Sequence, residues 1–333
     1  MAKRKPTIID VASVAGVSTA TVSRVLNGGP VTRQTRSAVE VAIHQLGYRR
    51  NNLARGLVTG RTGVIGVLIP DLVGPLYAEM ARGIEDVLEP LGMHAMVVTD
   101  NRDLERERSS VELLLTRQVD ALIIIGSHLD DKALHELAGN VPVGLIQREA
   151  EGSTFSQVEI DNRRGIRKAV AHLIARGHRR LALLAGIRRD GRERRQTFEE
   201  ILKELGLPSP LIFEGDFSEA SGYQVGVDLA AHAEVTAVVC TNDRMALGAY
   251  HALKSRGKRI PQDISVIGFD DLPWASYLDP PLTTIRQPGR GMGCRAAEQV
   301  LRHPQAARAV RILIDPLLIE RASVHTVSAE QRR

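Results

Sequence analysis

Between Ser18 and Asn27 the chain sets small and hydroxylated side chains around a single guanidinium: Ser18, Thr19, Ala20, Thr21 and Ser23 precede Arg24, and Asn27 closes the run. These residue types suit the edges of base pairs. Small side chains at Thr19 and Ala20 let the backbone come close. The hydroxyls of Thr21 and Ser23 suit phosphate oxygens, and Arg24 can read guanine through two parallel hydrogen bonds. The chemistry implied is recognition of double-stranded DNA. Charge points the same way. The first 62 residues hold ten Lys and Arg against two acids, Asp10 and Glu40, a surplus of eight. The whole chain is +5, so the remainder is negative by three. A basic head on a mildly acidic body is the electrostatic pattern of a nucleic-acid-binding module, although a solubilising arm has the same charge.

The elements that must hold this run are short helices. Ile8, Val11, Ala12 and Ala15 fall at offsets 0, 3, 4 and 7, one face of a helix. Thr7 with Asp10 three residues on fits a capping box at its start. Gly16-Val17 breaks the pattern, and Ser18 can cap a second helix to about Asn27 with Val22, Val25 and Leu26 buried. Gly28-Gly29-Pro30 ends it. A third helix is expected from about Thr32 to Leu46, buried through Val39, Ile43 and Leu46. Two helices joined by a tight glycine turn, the second exposing small polar residues, make a helix-turn-helix whose second helix enters the major groove. An ordinary three-helix mini-domain shares the helix pattern; the basicity and the exposed face separate the two.

The string Thr7-Ile8-Ile9-Asp10-Val11-Ala12, then Ala15-Gly16-Val17-Ser18, then Thr21-Val22-Ser23-Arg24-Val25-Leu26-Asn27, resembles the head of the lactose/galactose-repressor (LacI/GalR) family. Gly47-Tyr48 and Asn51-Asn52-Leu53-Ala54-Arg55-Gly56-Leu57 resemble that family's hinge. The match runs to about residue 322. The resemblance implies paired hinge helices in the minor groove, with Leu57 wedged between central base pairs, a known way to kink DNA. A helix of about two turns is marginal by itself, so such a hinge would order on docking; a plain flexible linker is the alternative. Candidate DNA contacts are therefore Thr7 and Ser18, then Thr19, Ala20, Thr21, Ser23, Arg24 and Asn27, and in the hinge Asn51, Arg55 and Leu57.

From Gly63 onward, short apolar runs alternate with helical stretches. Val64–Ile69, Ala95–Val98, Ala121–Ile125 and Val143–Ile146 read as buried strands, and so do Leu181–Leu184, Leu211–Phe213, Ala237–Cys240 and Ser265–Ile267. Helices are expected near Tyr77–Leu91 and Leu104–Arg117, then over 163–176, 192–205, 219–231 and 242–256. The fold class expected is α/β: an all-α head and hinge, then a two-lobed body of doubly wound parallel sheets. The expected domains are a head over 1–48, a hinge over 49–62, a first lobe over 63–161 plus 289–322, a second lobe over 162–288 and a tail over 323–333. The resemblance implies a periplasmic-binding-protein-like body.

Ligands of such sheets bind beyond the carboxyl ends of the strands. Asp71, Asp100, Ser127, Gln147, Asn242 and Asp270 lie at or just past strand ends, where carboxylates and amides can each hold two sugar hydroxyls. Helix capping is the alternative for each, above all for Asp100 and Ser127. The resemblance selects Leu76, Tyr77, Gln147, Arg194, Phe217, Asn242, Asp270 and Gln287 as effector-binding, with Arg194 opening a helix and Phe217 stacking on the ligand. Gln147 stands where the family often has an aspartate. Beyond Gly186, Arg188, Arg189, Arg192, Arg194 and Arg195 crowd one segment. A lost carboxylate and added cations favour an anionic sugar derivative; arginines facing solvent are the plain alternative.

Other chemistries lack their residues. No Walker A motif and no Gly-x-Ser-x-Gly elbow is present, and no Gly-x-Gly-x-x-Gly follows the first strand. Cys240 and Cys294 lack metal-ligand spacing, and His172 and His178 are poorly spaced for a helical metal site. An enzyme, a cofactor and a bound metal are not expected. No apolar run reaches the roughly 18–20 residues that span a membrane, and no signal-like apolar segment opens the sequence, so the expected place is the cytoplasm. The partners expected are operator DNA, a small-molecule effector and a second copy of the chain, with a tetramer left open.

Overall fold

The computed structural model describes residues 4, 6–26, 28–48, 61–148, 154–302 and 309–327. It falls into two compact units, Met1–Thr62 and Gly63–Arg333. In the first, helices α1 (Ile8–Ala15), α2 (Thr19–Leu26) and α3 (Arg33–Leu46) enclose Val11, Ala12, Val22, Val25, Val39 and Ala42. Ile43 and Leu46, expected inside, are only partly buried, and Ala42 takes the inner position beside Val39. The Asp10 carboxylate accepts from the Thr7 backbone at 2.7 Å and from its hydroxyl at 2.8 Å, which fixes the start of α1. Gly16, at φ +65°, ends it in the left-handed conformation that glycine adopts without strain. The chain then bends by 103° into α2.

The second unit holds two six-stranded sheets. The first has the order β11-β5-β4-β3-β1-β2, built from β1 (Val64–Ile69), β2 (His94–Thr99), β3 (Ala121–Ile125), β4 (Val143–Ile146), β5 (Ser156–Ile160) and β11 (Arg311–Ile314), all parallel. The second has the order β12-β10-β9-β8-β6-β7, from β6 (Leu181–Gly186), β7 (Leu211–Gly215), β8 (Ala237–Cys240), β9 (Ser265–Asp270), β10 (Thr283–Arg286) and β12 (Leu317–Ile319). Here the pairing of β10 with β12 is antiparallel and the rest is parallel. Helices over Pro75–Leu88 and Gly289–Arg302 cover one face of the first sheet, and those over Leu104–Thr116 and Asp131–Ala138 cover the other. The second sheet lies between helices over Asn162–Ala175 and Arg189–Glu204 and helices over Glu219–Leu229 and Asp243–Ser255. Each lobe thus buries an apolar sheet on both faces, as continuous runs such as Ala121–Ile125 require.

The chain crosses between lobes at Asp161-Asn162, at Gln287-Pro288 and at Asp315-Pro316. The last crossing corrects the expected first-lobe boundary at 322 and takes residues 323–327 out of the expected tail. Pro316 stops β11, and the next residues pair with β10 of the second lobe. The Ser323 hydroxyl accepts from the Thr283 backbone at 2.8 Å and donates to the Val266 carbonyl at 2.6 Å. Val327 donates to the Arg176 carbonyl at 2.9 Å. Residues 317–327 therefore belong to the second lobe.

Candidate functional site

Two surfaces carry the residues that the sequence singles out. On α2, Ser18 caps the helix: its hydroxyl lies 2.9 Å from that of Thr21 and accepts from the Thr21 backbone at 3.1 Å. Ser18, Thr19, Ala20 and Arg24 are exposed; Thr7, Thr21 and Ser23 are half-buried. Val22 and Val25 hold the opposite side of α2 in the core. The exposed face is therefore fixed by packing and, Arg24 apart, presents small side chains. Asn27, Asn51, Arg55 and Leu57 lie outside the described residues.

The second surface is a cleft between the lobes with about 890 Å³ of space, part of it open to solvent. All eight residues named for an effector line it: Leu76, Tyr77 and Gln147 from the first lobe, Arg194, Phe217, Asn242 and Asp270 from the second, and Gln287 at a crossing. Glycines let the walls close in. A Cβ on Gly186 would lie 2.0 Å from the Phe217 ring, and one on Gly191 would lie 1.9 Å from the Gly186 carbonyl oxygen. The bare backbone at these points brings the helix Arg189–Glu204 and the Phe217 ring onto the end of β6. That helix starts three residues before the expected 192, so Arg188 stands at its N-cap and Arg194 inside its second turn.

Arg194 is only 2% exposed. Its guanidinium sits 3.7 Å over the Phe269 ring, and its Nε donates to Asn162 at 2.8 Å and its Nη1 to the Thr241 carbonyl. These contacts aim a fixed cation at the cleft. Asp270 stands at the end of β9 with φ +126°, a backbone state side-chain-bearing residues rarely adopt. Its carboxylate accepts from Gln287, whose own amide oxygen accepts from Gln147 at 3.1 Å. This relay joins three positions far apart in sequence. Burial raises the Asp270 carboxyl to about 7, against the lowering charge of Arg194 and the Gln287 hydrogen bond. Asn242 does two jobs: its oxygen caps the helix Asp243–Ser255 through Met245 at 2.9 Å, and its amide donates to the Phe217 carbonyl at 3.0 Å.

On the opposite wall, Asp71 accepts from the backbones of Val73 and Gly74 and from both Nε and Nη2 of Arg102. Arg102 also reaches the Tyr77 hydroxyl at 3.3 Å and lies over its ring. Asp100 is buried beneath this wall rather than lining it, and its carboxylate accepts from the Arg102 backbone. Asp103 caps the following helix instead. Ser127 lines the cleft while its hydroxyl donates to buried Glu107. Of the clustered arginines, Arg188, Arg189 and Arg194 line the cleft. Arg192 turns to the Ile187 carbonyl, Arg195 pairs with Glu199 and Glu214, and Arg148 pairs with Asp131.

Two residues were not legible as contributors. Arg102 follows β2 in a loop where Asn101 and Arg102 both have positive φ, and nothing local marks that geometry. Asp243, hidden behind Asn242, is fully buried; it accepts from the Leu272 backbone at 2.8 Å and from the Thr284 hydroxyl at 2.6 Å. Those bonds fix the turn that carries Asp270. Burial raises the Asp243 carboxyl well above the usual carboxylate range. Among the described residues no group of three or more His, Cys, Asp or Glu could hold a metal ion. No single described helix is long and apolar enough to cross a membrane.

Comparison with known proteins agrees with this geometry. Residues 7–51 match the model of bacterial regulatory proteins of the lacI family, and residues 170–324 match that of the periplasmic-binding-protein-like domain. The transcriptional regulator DegA of Bacillus subtilis is 33% identical over 333 residues, covering 96% of this chain and 98% of its own. A lac repressor dimer bound to operator and the anti-inducer ONPF superposes with a TM-score of 0.87 at 32% identity, over 97% of this chain and 100% of that one. A complex of the regulator CelR with cellobiose gives 0.71 at 33% identity, over 96% of this chain and 99% of that one. A helix-turn-helix head followed by a two-lobed, periplasmic-binding-protein-like effector domain thus places this chain in the LacI/GalR family of transcriptional regulators, which are not enzymes.

Proposed function

We propose that this chain is a repressor that works as a dimer on a near-palindromic operator, with its affinity set by a small molecule in the interlobe cleft. The observation that carries the reading is the convergence of Gln147, Arg194, Asp270 and Gln287, drawn from both lobes and a crossing, on one cleft. A ligand touching both walls has a different affinity for each lobe arrangement, and that difference is what shifts an equilibrium. The first lobe follows the hinge in sequence, so a change of lobe angle alters the spacing of two heads. The lac repressor dimer on its operator and CelR with cellobiose support the partners inferred here: operator DNA, a second copy and a sugar or sugar derivative. Gln147, together with Arg188 and Arg189, favours an anionic derivative. Ser18, Thr19, Ala20, Thr21, Ser23 and Arg24 face the major groove, and a regulator of this kind acts in the cytoplasm.

The test has two stages. A thermal-shift screen of sugars, sugar acids, sugar phosphates and nucleobases identifies a ligand by its stabilisation of the full chain. That ligand should then change affinity for a selected duplex by about 5- to 150-fold, the usual range of allosteric coupling. A ligand that occupies the cleft and leaves DNA affinity unchanged contradicts the proposal.

A further inference from the structure

We propose that the effector carries an oxyanion, carboxylate or phosphate, and that this group sits between Arg188 of the second lobe and Arg102 of the first. The inference rests on the cleft being the effector site and names the chemistry that the site selects. Five guanidiniums line the cleft, and three of them are held by groups of the protein itself. Arg102 holds Asp71 through Nε and Nη2, Arg244 holds Glu219 through two bonds of 2.7 Å, and Arg194 is fixed by Phe269, Asn162 and Thr241. Arg188 differs. Its Nε is enclosed and has no hydrogen-bond partner among the described residues. A buried donor left unpaired carries a desolvation cost that an incoming acceptor removes.

The surroundings favour an anion at that point. Arg188 stands at the N-cap of a sixteen-residue helix with no side-chain cap, so the positive end of the helix dipole faces the same space. Burial and the charge of Arg102 both push the Arg188 guanidinium down from its usual value, which places two like charges across the cleft. The carboxylates nearby are largely engaged: Asp71 is held by Arg102, and Asp216 accepts from the Ser218 backbone. Asp190 follows Arg188 in the first turn of the helix and lines the cleft. Asp270 is committed to Gln287 and raised to about 7. Asp100, beside Arg188, is raised to about 6, mainly by burial. An oxyanion between the two guanidiniums would satisfy the Arg188 Nε and bridge the lobes, with Asp71 keeping its hold on Arg102. A neutral sugar supplies no such charge, so the same pair selects acids over their neutral parents.

The test uses the full chain and matched pairs: gluconate and glucose 6-phosphate beside glucose, ribose 5-phosphate beside ribose, and glucuronate beside methyl glucuronate ester. Thermal shift finds the binder and calorimetric titration gives its affinity. At least one acid should bind where its neutral parent does not. Arg188→Gln should weaken that acid by about 10- to 100-fold, the scale of a charge-assisted hydrogen bond. Arg188→Lys should recover part of the loss, and Arg192→Gln, on the outward side, should change nothing. The carboxylate and phosphate arms separate the two oxyanions. A neutral parent that binds as tightly as its acid, or an acid indifferent to Arg188→Gln, overturns the inference and leaves the cleft standing as the effector site. Silence across the whole panel overturns both.

Discussion

The exposed face of α2 and the interlobe cleft are built by opposite rules. The face presents Thr19 and Ala20 to solvent, small and uncharged, with Val22 and Val25 anchored behind them. It costs little desolvation to maintain, and the hydrogen bonds described on it are the short-range ones of the Ser18 cap. The cleft gathers guanidiniums and carboxylates in partial burial, where each must be paired or neutralised. Its walls therefore hold ligand groups and structural groups in one network. The contrast teaches that changes on the face should alter recognition alone, whereas changes in the cleft should alter recognition and stability together.

The largest effect expected from breaking that contrast is at Asp243. Asp243→Ala strips the Leu272 amide and the Thr284 hydroxyl of their buried acceptor. A loss of about 3 kcal/mol in the stability of the Gly63–Arg333 unit should follow, read from the urea midpoint. An unchanged midpoint would show that the turn bearing Asp270 is held by other contacts. Next come Thr19 and Ala20. Replacing both by Tyr and Gln should redistribute operator preference by about 1–3 kcal/mol per affected base pair. The unfolding midpoint should stay within about 0.5 kcal/mol, as for other surface changes. Equal discrimination by parent and variant in a base-by-base competition assay would remove these residues from the readout.

Smaller effects sharpen the same distinction. Thr7→Ala removes the hydroxyl that donates to Asp10 at the start of α1. It should cost the head about 1 kcal/mol and leave the body's transition in place, as separate calorimetric transitions would reveal. The last effect is read as a slope with pH rather than as a single loss. The Asp270 carboxyl stands at about 7 when folded, above its value in an unfolded chain. The folded state holds this proton more tightly, so this group's contribution to stability falls as pH rises from about 4 to about 7. Asp270→Asn should remove that portion of the slope. Buried His178, pushed down to about 4, contributes the opposite slope as pH falls from about 6.5. The measurement is therefore the difference between variant and parent across pH 4–8. Parallel curves would mean that Asp270 is ionised throughout.

The head was legible in the sequence because its determinants are local. Thr7 with Asp10, the left-handed Gly16 and the Ser18 cap all act within four residues. Most strands of the body were legible for the same reason, as short continuous apolar runs. β5 was not, because Gln157 and Glu159 alternate with its apolar residues and the ion pair of Glu159 is with Arg311, 152 residues away. The final crossing was expected near the C-terminus but placed too late, because a three-residue strand leaves almost no pattern and only its pairing with β10 assigns it. In the cleft, strand-end position and family resemblance were enough to name residues that the fold brings together. They were not enough to find Arg102, whose place depends on two left-handed loop residues and on Asp71. Nor could they separate Arg188, whose Nε has no partner among the described residues, from Arg192 and Arg195, which turn to other partners.

The most direct trial of the central claim is a selection from a pool of random duplexes with the full chain, repeated in the presence of the ligand that stabilises it. The sequences recovered should converge on two half-sites related by a dyad, and their yield should rise or fall sharply with ligand. A recovered pool no richer in any sequence than the starting one, with and without ligand, would contradict the account.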